Sequence, residues 1–380
     1  MVRSIRACMC LGFALFVASC VSVGERGSPA ENRLDASLLP PAATPDVSPW
    51  KRARLVSRND AVAVFARRGE ILAALARVAK NAEPRTDATR FALETRDALT
   101  TLLSESLGEA DFIEALQSRF VCVEHEDPFV RCTGYATIEA SASRSRDAQF
   151  RFPLIGDIRA SAPDLLTVER RDALSDARVE SLAIAWMADA FDWALVETNG
   201  TALLRLRDGS SLPVSRVATN GFAWRGIGRA MADLGAIDPG GMTISTIREA
   251  ARDRPDLAER AAYDNPRFVA FEVCDLNEFP PALPSGRLTA DFSCAADPAH
   301  YPLGALLFFS SLQGEAALPG APIRCVQDVG GAIQGRDRFD LYCGGGASAL
   351  QTAGELHQRA RVSMFMLRSA CAELGVSLAD

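Results

Sequence analysis

Histidine is scarce in this 380-residue chain: His125, His300 and His357 are the only three. A Ser-His-Asp or Cys-His catalytic device needs one of them correctly placed. The chain has no GxSxG elbow, no HExxH helix, no P-loop, and no GxGxxG between a strand and a helix. No two cysteines have the tight CxxC spacing of a zinc site. The expectation is therefore no metal and no organic cofactor. Basic charge is also short, with 41 Lys and Arg against 48 Asp and Glu, a net charge of −7 and a pI near 5.3. That balance argues against a nucleic-acid binder, which needs a basic face. Long apolar runs are missing too. The one near the start, Ala7 to Ser19, is too short to span a bilayer comfortably.

That apolar stretch follows Arg3 and Arg6 and ends in Val17-Ala18-Ser19-Cys20, which resembles the lipobox of bacterial lipoproteins. The resemblance implies cleavage before Cys20, lipidation of Cys20, and residence in the periplasm. Val21 stands where an aspartate often marks inner-membrane retention, so the expected location is the outer membrane. Acyl chains add about 0.8 kcal/mol per buried methylene, and several of them make a durable anchor. Seven cysteines lie beyond Cys20: 122, 132, 274, 294, 325, 343 and 371. An oxidising compartment favours disulfides. Cys122 with Cys132 would suit a hairpin staple, and Cys325 with Cys343 and Cys274 with Cys294 are further pairs. Cys371 is then odd, and sequence alone does not fix the connectivity.

Val21 to Trp50 is rich in Pro, Ala and Ser and reads as an extended tether. Asn59–Lys80, Ala88–Leu107 and Asp111–Arg119 read as helices, with Asn59 a fair N-cap for the first. After Phe120 the texture changes to short strand-like runs between Gly, Pro, Asp and Asn. Expected strands are 129–138, 193–206, 213–218, 267–274, 305–309, 323–328, 338–343 and 361–367. Expected helices are 172–188, 222–234, 243–251, 256–263 and 348–358. No regular βαβ rhythm appears, so the fold class is mainly β with added α-helices. The proline-bearing stretch Leu276–Pro284 is a candidate domain seam.

The densest functional candidate runs from Gln327 to Cys343. Asp328 ends an apolar strand, a Gly-Gly turn and Gly335 follow, and a second strand carries Asp340. Two carboxylates on neighbouring strand ends can share a cleft. Like charge and desolvation would then raise one pKa toward neutrality. Asp337, beside the turn, reads as a turn former. The stretch Asp328–Gly335 followed by Arg338-Phe339-Asp340-Leu341-Tyr342 resembles the C-terminal signature of the membrane-bound lytic murein transglycosylase A family. Cys132-Thr133-Gly134-Tyr135, Asn220 to Gly228, Thr246-Ile247-Arg248 and Asn265 to Val269 follow that family's motifs in order. The resemblance covers roughly residues 110 to 368.

The resemblance implies a double-psi β-barrel interrupted in sequence by an inserted second β-rich domain. The boundaries it implies are a signal peptide at 1–19, anchor and tether at 20–50, N-terminal helices and the first barrel strand at 51–134, a murein-binding insert at 135–272, and the catalytic barrel at 273–380. It implies that peptidoglycan glycan strands are the substrate. It carries the single acid/base onto Asp340, a supporting role onto Asp328, and glycan contacts onto Thr133, Tyr135, Asn220 and Trp224. The expected reaction cuts the MurNAc-GlcNAc bond and leaves 1,6-anhydro-MurNAc ends. Three stretches depart from the family pattern: Glu197-Thr198-Asn199-Gly200 replaces Gln-Gly-Ser-Gly in an expected strand, Ala136 to Glu139 replaces Tyr and Glu-Pro, and Ser293 to Asp297 is altered. These motivate the alternative of a catalytically impaired wall-binding lipoprotein. A hydrolase of another cell-surface polysaccharide is a third reading.

Overall fold

The computed structural model describes residues 50–78, 87–283, 286–330 and 333–376. The expected signal peptide, Cys20 and nearly all of the tether lie outside them. Thirteen strands follow in chain order: β1 (Trp50–Leu55), β2 (Phe120–His125), β3 (Phe129–Ser143), β4 (Phe152–Ile155), β5 (Ala183–Met187), β6 (Thr201–Leu206), β7 (Ser211–Thr219), β8 (Val269–Val273), β9 (Ser293–Ala295), β10 (Leu306–Ser311), β11 (Ile323–Asp328), β12 (Arg338–Gly345) and β13 (His357–Leu367). The described chain divides into two compact units, one of residues 138–274 and one of the remainder.

The second unit is a closed ring of six strands. Going round it, β13 pairs with β10, β10 with β11, β11 with β9, β9 with β12, β12 with β3, and β3 with β13 again. The β9–β11 and β3–β12 pairings are parallel and the rest antiparallel. Closure leaves no free edge within the ring. β10 and β11 are buried on both faces, since the helix-side core takes Leu306, Phe308, Ile323 and Cys325, whereas β12 alternates along residues 338–341. On β12, Phe339 and Leu341 are fully buried in the barrel core with Cys132, Cys294, Val326 and Val362, while Asp340 between them is half-buried. A β1–β2 ribbon joins the ring through β2 and β13.

Helices Arg58–Ala66, Arg68–Leu75, Asp87–Ser104 and Glu109–Arg119 cover part of the barrel's outside. They share a second core in which Phe112, Phe120, Phe308 and Phe365 are buried. Each such ring contributes about 1.5–3 kcal/mol on burial. The first helix starts at Ser57, whose hydroxyl accepts from Asp60 N while Asp60 accepts from Ser57 N. This reciprocal cap, rather than Asn59, sets the boundary.

The other unit also closes. β3 pairs with β5, β5 with β4, β4 with β8, β8 with β7, β7 with β6, and β6 with β3. β3 is therefore shared: its residues 129–137 belong to the first ring and 138–143 to the second. Inside this unit, residues 138–274, Arg170 and Glu197 form a buried ion pair, with the guanidinium 3.9 Å from the Trp193 ring centroid.

Several local expectations change. Residues 193–206 are not one strand: helix Ala190–Asn199 precedes β6. Asp189 caps that helix at Asp192 N, and Gly200 ends it in a left-handed conformation (φ 75°). Glu197 to Gly200 is thus a helix end, not strand. Residues 172–188 are two short helices followed by β5, because a five-residue apolar run carries no usable period. The expected first helix breaks at Arg67. Residues 222–226 are not helical. Residues 357 and 358 start β13 rather than ending a helix. Trp50 is buried in β1 rather than closing the tether.

All seven described cysteines are free thiols. The expected staple between Cys122 and Cys132 does not form. β13 lies between their strands, and Cys122 packs in the helix-side core while Cys132 packs inside the barrel. Two strand spacings, roughly 10 Å, exceed the reach of a disulfide. Cys325 and Cys343 are likewise separated by β9, and Cys274 and Cys294 are each unbridged.

Candidate functional site

The barrel register places a line of residues side by side. Asp328 on β11 is opposite Ala295 on β9; Ala295 is opposite Asp340 on β12; Asp340 is opposite Thr133 on β3; and Thr133 is opposite His357 on β13. Residues paired in this way present their side chains to one face of the sheet. A bulge makes the line possible. Val326 pairs with Cys294 and Asp328 with Ala295, so Gln327 and Asp328 together face a single residue. The extra residue turns Asp328 out of the interior period that Val326 follows.

The two acids are therefore not on neighbouring strands. β9 stands between them, and their backbones are on the order of 10 Å apart by strand spacing. Both carboxyls are half-buried. Burial pushes Asp340 up to about 7, against the Thr133 hydrogen bond and the Arg338 charge, and the Asp328 charge adds to the rise. Burial likewise pushes Asp328 up to about 6, against a hydrogen bond from Val329 N at 2.8 Å. Desolvation, more than mutual repulsion, sets both values.

Thr133 is buried and its hydroxyl donates to Asp340 Oδ1 at 2.8 Å. The buried Tyr135 hydroxyl makes no hydrogen bond of normal geometry, yet it faces Asp328 closely enough for each to shift the other's titration. Burial first, then the Asp328 charge, holds that phenol well above its ordinary value. The Tyr135 ring meets Tyr342 at 5.2 Å, and the Tyr342 hydroxyl is 2.6 Å from Thr137 Oγ1. Tyr135 and Tyr342 pack with Ala282 and Leu288, giving the site one apolar wall.

Gly134 sets Thr133 and Tyr135 in place. A Cβ there would lie 2.8 Å from Ala353 Cα, so only glycine lets helix Ala347–Glu355 seat against β3. Gln327 and Ser293 carry no site role in the sequence reading, though Gln327 opens the candidate stretch. Both are buried, and the Ser293 hydroxyl donates to Gln327 Oε1 at 2.8 Å. The adjacency of Gln327 to Asp328 was the available signal.

Asn220 and Trp224 belong to the other unit. The Asn220 amide is fully engaged with backbone: Nδ2 donates to Val168 O (2.8 Å) and Pro266 O (3.0 Å), and Oδ1 accepts from Phe268 N (3.0 Å) and Phe222 N (3.4 Å). That is the work of a loop staple. Trp224 is half-buried, and its indole Nε1 has no hydrogen-bond partner. Among the described residues no group of His, Cys, Asp and Glu could hold a metal ion.

A closed six-stranded barrel interrupted by a second β-rich unit, with paired aspartates on its wall, defines the class to which this chain is compared. A family model for the MltA specific insert domain matches residues 131–272, and a 3D domain model matches residues 292–366. Membrane-bound lytic murein transglycosylase A of Escherichia coli (strain K12) is 27% identical over 244 residues, 61% of this chain. That alignment spans 64% of the relative's length, a little under two thirds. The membrane-bound lytic murein transglycosylase from Agrobacterium tumefaciens has a similar fold, with a TM-score of 0.64 at 20% identity, covering 85% of this chain and 99% of that one. E. coli MltA with bound chitohexaose gives a TM-score of 0.63 at 20% identity, covering 79% and 90%. The chain thus matches both the MltA specific insert domain and the 3D domain, in that order, and is similar to membrane-bound lytic murein transglycosylases A in sequence and in fold.

Proposed function

We propose that this protein is a peptidoglycan lytic transglycosylase that uses Asp340 as its single acid/base. The observation that carries the reading is a half-buried carboxyl held near neutrality beside an ordered hydroxyl. A group titrating at about 7 is protonated often enough to act as an acid and ionised readily enough to act as a base. Protonated Asp340 donates to the oxygen between MurNAc and GlcNAc. The C1–O bond breaks, GlcNAc leaves with its hydroxyl restored, and positive charge develops at the muramic C1. Ionised Asp340 then takes the proton of the sugar's C6 hydroxyl, and that oxygen bonds to C1. The product is a 1,6-anhydro ring; no water is consumed, and Asp340 returns to its starting state. Holding the internal nucleophile near C1 supplies much of the entropic advantage.

Asp328 supports this by adding negative potential near C1 and by keeping the Asp340 proton affinity high. Ordinary glycosidases place a second carboxylate about 5–9.5 Å from the first to act as nucleophile or base. Here the sugar's own hydroxyl fills that role. The two parallel strand pairs in the six-stranded ring support a double-psi reading of the barrel. Binding of chitohexaose by the E. coli relative supports a β-1,4-linked amino-sugar polymer as ligand. The Val17 to Cys20 sequence supports lipidation at Cys20 and an outer-membrane location facing the periplasm.

The test is digestion of purified murein followed by mass spectrometry of the products. Anhydro ends that vanish in Asp340→Asn are expected. Reducing ends would refute the mechanism, and full activity in Asp340→Asn would refute the residue. Murein binding without soluble product would favour the impaired binding protein.

A further inference from the structure

Two residues along from the acid row, the same register aligns three arginines. Arg338 on β12 is opposite Arg131 on β3, and Arg131 is opposite Arg359 on β13. Period two keeps them on the face that carries Asp340, Thr133 and His357, about 7 Å away along the strands. Like charges directly opposite one another destabilise a sheet. By contrast, Arg54 and Arg361 share the buried Glu124. Arg131, Arg338 and Arg359 form no salt bridge among the described residues; Arg359 rests on the Phe129 ring, and the half-buried Arg338 leaves its Nε without a hydrogen-bond partner. The charges of Asp337 and Asp340 reach Arg338 without pairing it, while Arg131 opposes it. Three uncompensated guanidinium groups in a row thus stand beside the acid/base in a protein whose net charge is −7.

We propose that Arg338, Arg131 and Arg359 form an anion subsite that receives the carboxylates of the acidic peptide carried by the glycan strand. The inference rests on the proposed glycan-strand substrate and deepens it. Guanidinium groups suit planar carboxylates because each presents a fork of donors. Peptidoglycan carries that peptide on the lactyl group of the sugar whose C1 is attacked, so the peptide's carboxylates belong to the sugar held at Asp340, and the arginine row lies about 7 Å from that residue along the strands. Chitin-like polymers have no such group. The ladder would therefore discriminate peptide-bearing strands from bare glycan.

The test uses the full-length protein and two substrates, murein glycan strands with their peptides and the same strands after the peptides are removed and the freed lactyl carboxylates are amidated. The readout is the ratio of kcat/KM on the two, alongside the ratio of Kd values from co-sedimentation. In the charge-neutral double variant R131Q/R359Q the ratio should fall about tenfold, the scale of losing one charge-assisted contact. R131K/R359K should retain only part of it, because lysine keeps the charge and loses the fork, and added salt should erode the wild-type ratio. A ratio unchanged in R131Q/R359Q, or a wild-type ratio of one, would overturn the subsite. If the wild type turns over neither substrate, the Kd ratio decides alone: a peptide-dependent preference lost in R131Q/R359Q keeps the subsite while the catalytic reading fails.

Discussion

Thr133→Val tests the acid/base assignment without touching the acid. Valine matches threonine in shape, so the buried position stays filled while the hydroxyl that donates to Asp340 at 2.8 Å is lost. That hydrogen bond favours the ionised carboxylate and holds Asp340 below the value that burial alone would set. A hydrogen bond to a charged group contributes about 1.5–3 kcal/mol. One pKa unit corresponds to about 1.4 kcal/mol, so Asp340 should rise by about 1–2 units in the variant. In the proposed mechanism the free enzyme must start protonated, and wild-type kcat/KM should fall as pH rises through about 7. In Thr133→Val that alkaline limb should move upward by about 1–2 pH units, while kcat at pH 7 drops because the protonated carboxyl, now a weaker acid, gives its proton to the glycosidic oxygen less readily. Thr133→Ser should restore the wild-type limb. The assay is release of soluble anhydro-muropeptides from pH 4 to 9.5, with thermal unfolding checked at each pH. A limb that stays put, or moves to lower pH, would falsify the assignment of Asp340 as the titrating acid.

Other consequences follow from the same geometry. Asp340 and Asp328 bind protons more tightly when folded than unfolded, so stability is lost as pH rises from about 4 to 7 for Asp340 and from about 4 to 6 for Asp328. Asp340→Asn should therefore unfold at a higher temperature than wild type at pH 8, by a few degrees once partial exposure is discounted, and show little gain at pH 4; calorimetry at the two pH values checks the sign. Gly134→Ala puts a methyl 2.8 Å from Ala353 Cα, and should cost about 1–3 kcal/mol in a urea melt and much of the activity as Thr133 shifts. Ser293→Ala leaves the buried Gln327 Oε1 without its donor, a loss of about 1–3 kcal/mol by the same melt. Glu197→Gln strands the buried Arg170 charge and should destabilise the insert by about 3–5 kcal/mol, whereas Arg170→Met with Glu197→Leu should recover most of it.

The fold was legible where one signal dominated. β11 at 323–328 falls on the expected residues, because an apolar run bounded by Pro322 and a Gly-Gly turn admits one reading. Helix Pro255–Tyr263 matches its expected span to within a residue, with proline at its first turn. Legibility failed where the deciding contact lay far away in sequence. β9 has three residues and exists because β11 and β12 flank it on both sides. β1 is strand because β2 pairs with it across the intervening helices. Helix Ala190–Asn199 contains Phe191, Trp193, Val196 and Thr198, residues with strand preference, and its caps Asp189 and Gly200 outweighed them.

The site shows the same division. The sequence signature places Asp328 and Asp340 twelve residues apart and invites the picture of a hairpin with two facing acids. The barrel inserts β9 between their strands, so burial governs their pKa values more than mutual repulsion. Spacing in sequence cannot report this, since a parallel pairing between β11 and β9 depends on chain more than thirty residues upstream. Because Gln327 is the residue that bulges, Asp328 takes the outward position opposite Ala295 that Gln327 would hold in a regular strand. Deleting Gln327 should remove the bulge while leaving Asp328 outward, directly after Val326 and opposite Ala295, at a cost of about 1–3 kcal/mol as the buried Ser293 hydroxyl loses its acceptor; a deletion variant that no longer folds, or in which the high Asp328 pKa is lost, would show that the bulge does more than carry one extra residue.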